Sequence, residues 1–221
     1  MDHSGIEWKN LRHGVVNRFS GEMTVFDFKA YNYGCVMAVL PEEISSRIRA
    51  FSLAIPDSDI YEIDDVEYGR PAEIHCTVKY GLHTDNVQDV ASVISGHDLV
   101  CAELGDITVF DNPDCAVLKI DIESVDLAEI NRLISSNLKC TDSHPVYLPH
   151  VTIAYLRHRV EDPLYYQRFL CGMFKGTEVW FDRLQFSTPQ GNKTWISLEG
   201  GYEKTMAAGL HRIAHRIAYG H

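Results

Sequence analysis

The amino-acid sequence predicts a mixed α/β (α+β) fold in which strands and helices alternate along one large domain. Apolar runs bounded by proline, glycine and aspartate indicate strands, and apolar residues at helical intervals indicate helices. The order of these elements repeats, because each half of the chain holds one strand with a histidine motif, then a helix, then a pair of strands. With 221 residues, of which 45% are hydrophobic, the chain is long enough to bury a substantial core.

The first half of the chain begins with a buried-strand run that ends at Pro41. A helix follows, because proline suits the position before a first helical turn and the next two residues are acids, which favour a helix N-terminus. Asn86 and the two residues before it offer caps for a second helix. The expected elements are a strand over 33–40, a helix over 42–54, an acidic loop over 56–70, a strand after Pro71 and a helix ending near Ser95.

A pair of strands, joined by an aspartate, asparagine and proline turn over 111–114, completes the first half. The second half repeats this order and closes with a hairpin, whose turn lies over 189–192. The expected elements are strands over 98–110 and 115–123, a helix over 126–138, a strand entered through Pro149, a short helix over 161–170, and hairpin strands over 177–187 and 193–199.

Segments of a different character flank this domain, which we place at 31–200. Residues 1–30 mix polar and aromatic residues without a period, and we expect an N-terminal extension. Gly200 and Gly201 break the pattern, and 201–221 has apolar residues at helical intervals, which predicts a C-terminal amphipathic helix. No apolar run approaches 18 residues and no secretory signal is visible, so we expect a cytoplasmic protein without membrane partners.

One short pattern occurs twice, once in each half of the chain. The two copies are His75-Cys76-Thr77-Val78-Lys79-Tyr80 and His150-Val151-Thr152-Ile153-Ala154-Tyr155. Residues i and i+2 of a strand share a face, so each histidine lies beside its threonine while the hydrophobic residues between them point the other way. The tyrosines are expected on that other face, in the core. The alternative is a pair of unrelated strand histidines.

The candidate catalytic residues are therefore His75, Thr77, His150 and Thr152. Two imidazoles across a cleft can act as general base and general acid near neutral pH, and a hydroxyl beside each can bind a phosphate oxygen. Which histidine has which role is left open by the sequence. Candidate substrate-binding residues are Tyr33, which opens the first strand, and Glu178 and Trp180 in the closing hairpin, although the sequence favours ordinary packing in a strand over ligand binding for Trp180.

Composition narrows the class of ligand. The net charge is −11 and the chain lacks a block of lysine and arginine, which disfavours binding of a long nucleic acid and favours a small molecule. Six scattered cysteines without a Cys-x-x-Cys pair indicate reduced thiols. His211 and His215 have helical metal-ligand spacing but lack a third ligand nearby, so we expect no metal and no other cofactor. The oligomeric state is not indicated.

Residues 33–199, with the two His-x-Thr-hydrophobic motifs at their centre, resemble the 2H phosphoesterase superfamily, which includes LigT-like RNA cyclic phosphodiesterases. The resemblance implies two pseudo-symmetric lobes, with antiparallel-rich sheets around a central cleft and outer helices. Tyr80-Gly81-Leu82 after the first motif is similar to the phage anti-CBASS branch, which implies a metal-independent phosphodiesterase acting on the 3′-5′ bonds of small cyclic di- or trinucleotide signals. The alternatives are an enzyme for 2′,3′-cyclic or 2′-5′ RNA ends, and a protein that sequesters cyclic nucleotides without cleaving them.

Overall fold

The structure is a computed structural model that describes residues 33–61, 69–112, 114–142, 146–158 and 163–198. The expected N-terminal extension over 1–30 and the expected C-terminal helix over 201–221 lie outside these ranges. None of the helices in the described ranges has the length and apolar character of a membrane-spanning segment.

Strands and helices alternate much as the sequence predicts. Helix α2 begins where Asn86 accepts a hydrogen bond from the Gln88 amide, and α3 begins where Ser124 accepts one from the Leu127 amide. The loop before β2 contains a short 3₁₀ turn. The elements of the described residues are β1 Gly34–Val39, α1 Glu42–Ala54, β2 His75–Leu82, α2 Val87–Ile94, β3 Val100–Asp111, β4 Ala116–Glu123, α3 Val125–Asn137, β5 His150–Leu156, α4 Pro163–Leu170, β6 Thr177–Phe181, β7 Arg183–Ser187 and β8 Lys193–Ser197.

These strands form one antiparallel sheet in the order β6-β3-β4-β5-β2-β1-β7-β8. The two halves of this order match about a pseudo-twofold axis between β5 and β2. The units β1-α1-β2 and β4-α3-β5 are equivalent. After each unit the chain crosses to the other half of the sheet: β3, which follows α2, joins β4, and β7, which follows α4 and the edge strand β6, joins β1. The two-lobed, pseudo-symmetric fold is thereby confirmed, with the lobes as halves of one sheet.

The helices pack on one face of the sheet, where they cover the apolar side chains of the strands. On β2 and β5 this buried face includes Cys76, Val78, Val151 and Ile153, all fully excluded from solvent. The residues between them, His75, Thr77, His150 and Thr152, are half-buried on the opposite face, which we call the motif face. Because the buried set continues through both lobes, one core holds the two motif strands together.

The expectation of one strand over 177–187 is wrong. The strand breaks at Asp182, after which β6 stays beside β3 in one lobe while β7 joins β1 in the other. A single residue therefore links strands from opposite parts of the sheet order, which requires the sheet to curl back on itself. The Asp182 carbonyl accepts a hydrogen bond from the Leu198 amide at 2.8 Å, which stabilises the crossing. The sequence hides this break because no glycine or proline marks it.

Candidate active site

The two motif strands meet at a single residue pair, Cys76 opposite Val151. Residues on antiparallel strands step in opposite directions from such a pair, so His75 stands opposite Thr152 and Thr77 stands opposite His150. Residues directly opposite each other share a face of the sheet. The four predicted catalytic residues are thus brought together on the motif face, two on each side of the pseudo-twofold axis.

Both motif strands carry a β-bulge at the same place, directly after the threonine. The pairing of β2 with β1 skips Val78, and the pairing of β5 with β4 skips Ile153. The Val78 carbonyl accepts a hydrogen bond from the Asn131 side chain of α3 at 2.7 Å instead. An extra residue in a strand shifts the alternation of side chains that follows it.

The bulges overturn the expectation that Tyr80 and Tyr155 lie in the core. Both tyrosines are half-buried, whereas the residues before them, Lys79 and Ala154, are buried. The Tyr155 phenol is hydrogen-bonded to the Thr152 side chain, so it lies on the motif face. Regular alternation put both tyrosines on the wrong face because it did not allow for the extra residue.

The two imidazoles are oriented in the same way. Nδ1 of His75 lies 3.0 Å from the Glu73 carbonyl oxygen, and Nδ1 of His150 lies 2.9 Å from the Leu148 carbonyl oxygen. A carbonyl oxygen only accepts, so in each ring Nδ1 carries a hydrogen and donates it. Nε2 of each ring is then the atom that can take or give a proton.

Each motif threonine also has a side-chain partner. The Thr77 hydroxyl is hydrogen-bonded to the Cys35 thiol, as Thr152 is to Tyr155. Burial raises the pKa of Cys35 to about 12, against the opposing effect of the Thr77 hydrogen bond. Cys35 therefore remains a neutral thiol near pH 7 and is unsuited to act as a nucleophile.

Burial lowers the pKa of His75 below its usual value of 6.5. The Glu73 carbonyl and carboxylate oppose this effect, whereas the charges of Lys193 and His150 add to it. The Glu73 carboxylate also accepts hydrogen bonds from Lys193 at 2.6 Å and from Gln185 at 3.4 Å. His75 is therefore mostly neutral near pH 7, and it senses the charge of the second histidine.

A charged cluster lies beside the second motif. Lys119 and Asp121 of β4, which stand opposite Thr152 and His150, form an ion pair. The Thr108 hydroxyl of β3 lies 3.1 Å from both Asp121 carboxylate oxygens and accepts a hydrogen bond from Lys119 at 2.8 Å. The Phe110 ring contacts the His150 ring edge to face, with centroids 5.7 Å apart.

Tyr147 is a contributor to the site that the sequence analysis missed. It lies in the segment leading to β5, and its hydroxyl donates a hydrogen bond to the Thr77 carbonyl at 3.1 Å. The same hydroxyl is 3.9 Å from the Cys76 sulfur. Tyr147 therefore ties the approach to the second motif to the backbone of the first. Its aromatic position before Leu148 and Pro149 was the only signal for it in the sequence.

The structure treats the three predicted substrate-binding residues differently. Tyr33 contacts the Tyr80 ring with centroids 6.0 Å apart, and so lies at one end of the first motif strand. Glu178 and Trp180 lie on the edge strand β6, with β3 and β4 between them and β5. The structure does not bring these two residues next to the histidines.

Trp195 of β8 is a further aromatic residue on the motif face. Cross-strand pairing links it to Gln185, then Met37, then Thr77. Its side chain is 44% exposed, and the Arg183 guanidinium lies 4.6 Å from its ring centroid. An exposed aromatic ring in the same cross-strand row as Thr77 offers a surface on which a nucleobase could stack.

Within the described ranges, no group of three or more histidine, cysteine, aspartate or glutamate side chains is arranged to hold a metal ion. The chemistry that these residues can supply is proton transfer by the imidazoles and hydrogen bonding by the hydroxyl groups.

Comparison with known proteins supports the fold. The structure of Kluyveromyces marxianus Usb1 with uridine monophosphate matches with a TM-score of 0.51 and 12% identity, covering 76% of this chain and 99% of that chain. A crystal structure of a phosphoesterase matches with a TM-score of 0.39 and 16% identity, covering 76% of this chain and 95% of that chain. No protein-family model matches the sequence, and neither does any curated protein sequence. The likeness to Usb1 confirms the two-lobed, pseudo-symmetric fold that the sequence resemblance implied.

Proposed function

We propose that this protein is a metal-independent phosphodiesterase that cleaves the 3′-5′ bonds of small cyclic di- or trinucleotide signals, and that it thereby counters bacterial CBASS antiphage defence. One observation carries the phosphodiesterase part. Because Cys76 pairs with Val151, His75 stands opposite Thr152 and Thr77 stands opposite His150 on an accessible face of the sheet.

The proposed reaction is an in-line transfer at phosphorus. One imidazole Nε2 takes the proton of a ribose 2′-hydroxyl, whose oxygen attacks the adjacent phosphate. The bond from phosphorus to the 5′ oxygen breaks, and the second imidazole gives that oxygen its proton. The products are a linear nucleotide with a 2′,3′-cyclic phosphate at one end and a 5′-hydroxyl at the other. The first imidazole ends the step protonated and the second ends it neutral, so exchange of one proton between each ring and solvent returns both rings to their starting states.

The threonines stabilise the charge that grows on the two non-bridging phosphate oxygens. A neutral hydroxyl donor is short enough to follow those oxygens as the geometry at phosphorus changes. Each threonine hydroxyl is hydrogen-bonded to a neighbouring side chain, Thr152 to Tyr155 and Thr77 to Cys35, and this contact holds it on the motif face.

The charges on the motif face favour a small substrate over a polymer. Lys119 pairs with Asp121, Lys193 pairs with Glu73, and Arg183 lies 3.7 Å from the Asp182 carboxylate. Binding a long nucleic acid relies on many cations that neutralise successive phosphates. Because these cations are already paired with carboxylates, they suit a ligand with few phosphates better than a polymer. The net charge of −11 also disfavours a polymer.

Gly81 does not bear on the choice of substrate, although Tyr80-Gly81-Leu82 prompted the comparison with the anti-CBASS branch. Its φ is +89°, and a Cβ atom there would lie 1.9 Å from the Thr141 carbonyl oxygen. Packing alone therefore accounts for the glycine. The cyclic-nucleotide proposal rests on the charges of the motif face and on the exposed aromatic residue Trp195 in line with Thr77.

The second candidate function is processing of RNA ends that carry 2′,3′-cyclic or 2′-5′ phosphates. It is favoured by the likeness to Usb1, because that structure holds uridine monophosphate in the same fold. The same four residues would serve this reaction, and only the substrate would differ.

A substrate panel separates these functions. The purified protein is incubated, with and without EDTA, with cyclic dinucleotides, cyclic trinucleotides and RNA oligonucleotides ending in a 2′,3′-cyclic phosphate, and the products are identified by mass spectrometry. We expect linear products from a cyclic di- or trinucleotide, unaffected by EDTA. Turnover of the RNA ends alone would favour the second function, and tight binding without any product would favour sequestration. Activity that EDTA abolishes and zinc or manganese restores would contradict the metal-independent mechanism.

A further inference from the structure

The two halves of the site are equivalent in backbone register but differ in charge. On β1, Val39 stands opposite His75 and Met37 stands opposite Thr77. On β4, Asp121 stands opposite His150 and Lys119 stands opposite Thr152. One motif is therefore flanked by two apolar side chains, and the other by an ion pair at the same two positions.

We propose that Asp121, anchored by Lys119 and Thr108, makes His150 the general acid and leaves His75 as the general base. This assignment rests on the proposed phosphodiesterase function and deepens it. Asp121 and Lys119 are positioning residues here, since they act on the substrate through His150 and Thr152.

The carboxylate of Asp121 is fixed by its contacts with β3 and β4. Lys119 has only 14% of its side chain exposed, and it contacts both Asp121 and Thr108. A carboxylate beside an imidazole stabilises the protonated ring, whereas apolar neighbours favour the neutral ring. When the two histidines together carry one extra proton, His150, which stands opposite Asp121, is the ring that is protonated.

Other charged groups also act on the two rings, and they oppose each other in part. His75 faces Glu73 from the segment before β2, Lys193 from β8 and His150 from β5. Burial and the two positive charges lower its pKa against the effect of Glu73. His150 faces Asp121 and Lys119 from β4 and His75 from β2, while β3 contributes Thr108 and Phe110, which carry no charge. Lys119 opposes Asp121, but it stands opposite Thr152, one same-face position farther from His150.

The test measures the pKa of each histidine by NMR titration of the ring carbon-bound hydrogens, with His75→Asn and His150→Asn used to assign the signals. In the unaltered protein we expect His150 to titrate at a higher pH than His75. Asp121→Asn should lower the pKa of His150 by about half a unit to one unit, because it removes the neighbouring negative charge. Lys119→Met should raise it, because it removes the opposing positive charge. A purely structural role for the ion pair would shift both variants in the same direction.

Glu123→Gln is the matched control, because Glu123 is an exposed carboxylate on the same strand and face, two residues beyond Asp121. It should leave both histidine pKa values unchanged. Where turnover is measurable, the alkaline limb of the kcat/KM profile should move with the pKa of His150. A higher pKa for His75 than for His150, or an unchanged His150 titration in Asp121→Asn, would overturn the proposal. Because the titration needs no substrate, this failure is distinct from a failure to find phosphodiesterase activity.

Discussion

Cys76 and Val151 face each other across β2 and β5, each at the midpoint of its motif. Both side chains are fully buried, whereas the histidine and threonine on either side of each are half-buried. The pair is therefore where the core holds the two lobes in register.

Tyr147→Phe removes the hydroxyl that donates to the Thr77 carbonyl. We expect the free energy of unfolding to fall by about 1 kcal/mol, which is the usual contribution of one such hydrogen bond. Urea denaturation checks this, with Tyr165→Phe as the control, since Tyr165 is exposed on α4. Equal stability of the two variants would show that Tyr147 does not tie the segments together.

Tyr155→Phe removes the hydrogen bond to Thr152. We expect kcat to fall by up to about tenfold, since loss of one neutral hydrogen bond is worth about 1 kcal/mol. The effect should vanish when Thr152 is already alanine, because the phenol acts through that hydroxyl. If the losses of Tyr155→Phe and Thr152→Ala simply multiply in the double variant, the phenol has a separate role.

Gly81→Ala places a Cβ atom 1.9 Å from the Thr141 carbonyl oxygen, at a φ of +89°. We expect a loss of stability of about 3 kcal/mol or more, since a backbone clash adds to the strain of a positive φ. Gly96→Ala is the matched control, with a φ of +81° and no atom within 4 Å of the added carbon. It should cost only about 1 kcal/mol. Similar losses in thermal or urea unfolding would show that the close approach of Thr141 is not limiting.

The burial of His75 also predicts a dependence of stability on pH. Its pKa in the folded protein lies below 6.5, the value expected when the chain unfolds. Below pH 6.5 the unfolded chain therefore binds a proton that the folded protein resists, and stability falls as the pH falls, until the folded His75 titrates as well. In His75→Gln, the free energy of unfolding measured in urea should depend less on pH below 6.5 than it does in the unaltered protein. A slope unchanged by the substitution would show that His75 is not the group responsible.

Sequence reasoning predicted most of the elements and all four motif residues, because those signals are local. Proline and asparagine mark the starts of α1 and α2, apolar residues at helical intervals predict α3, and the His-x-Thr spacing directly predicts which side chains share a face. The bulges at Val78 and Ile153 were missed because they depend on pairing with β1 and β4. The break at Asp182 was missed because strand propensity continues across it and only the curl of the whole sheet separates β6 from β7.

The asymmetry between the two halves of the site was beyond sequence reasoning for a similar reason. Lys119 and Asp121 lie about 30 residues from His150 in the chain, and only the register of β4 with β5 places them opposite the second motif. Alternating charged and apolar residues are common on strands, so the sequence did not single out these two residues. A motif that occurs twice can be recognised in the sequence itself. A contact between the second motif and an unrelated pair of charged residues can be recognised only in the folded structure.

The central claim is that His75 and His150 act together on one phosphodiester. The most direct measurement is the turnover of His75→Ala, His150→Ala and the double variant on a substrate identified from the panel, with folding verified by circular dichroism and His97→Ala as the control. We predict that each single variant loses about 10²-fold or more and that the double variant is little worse than the poorer single variant, because the two imidazoles work as a unit. A folded His75→Ala protein with near-normal turnover would contradict the account.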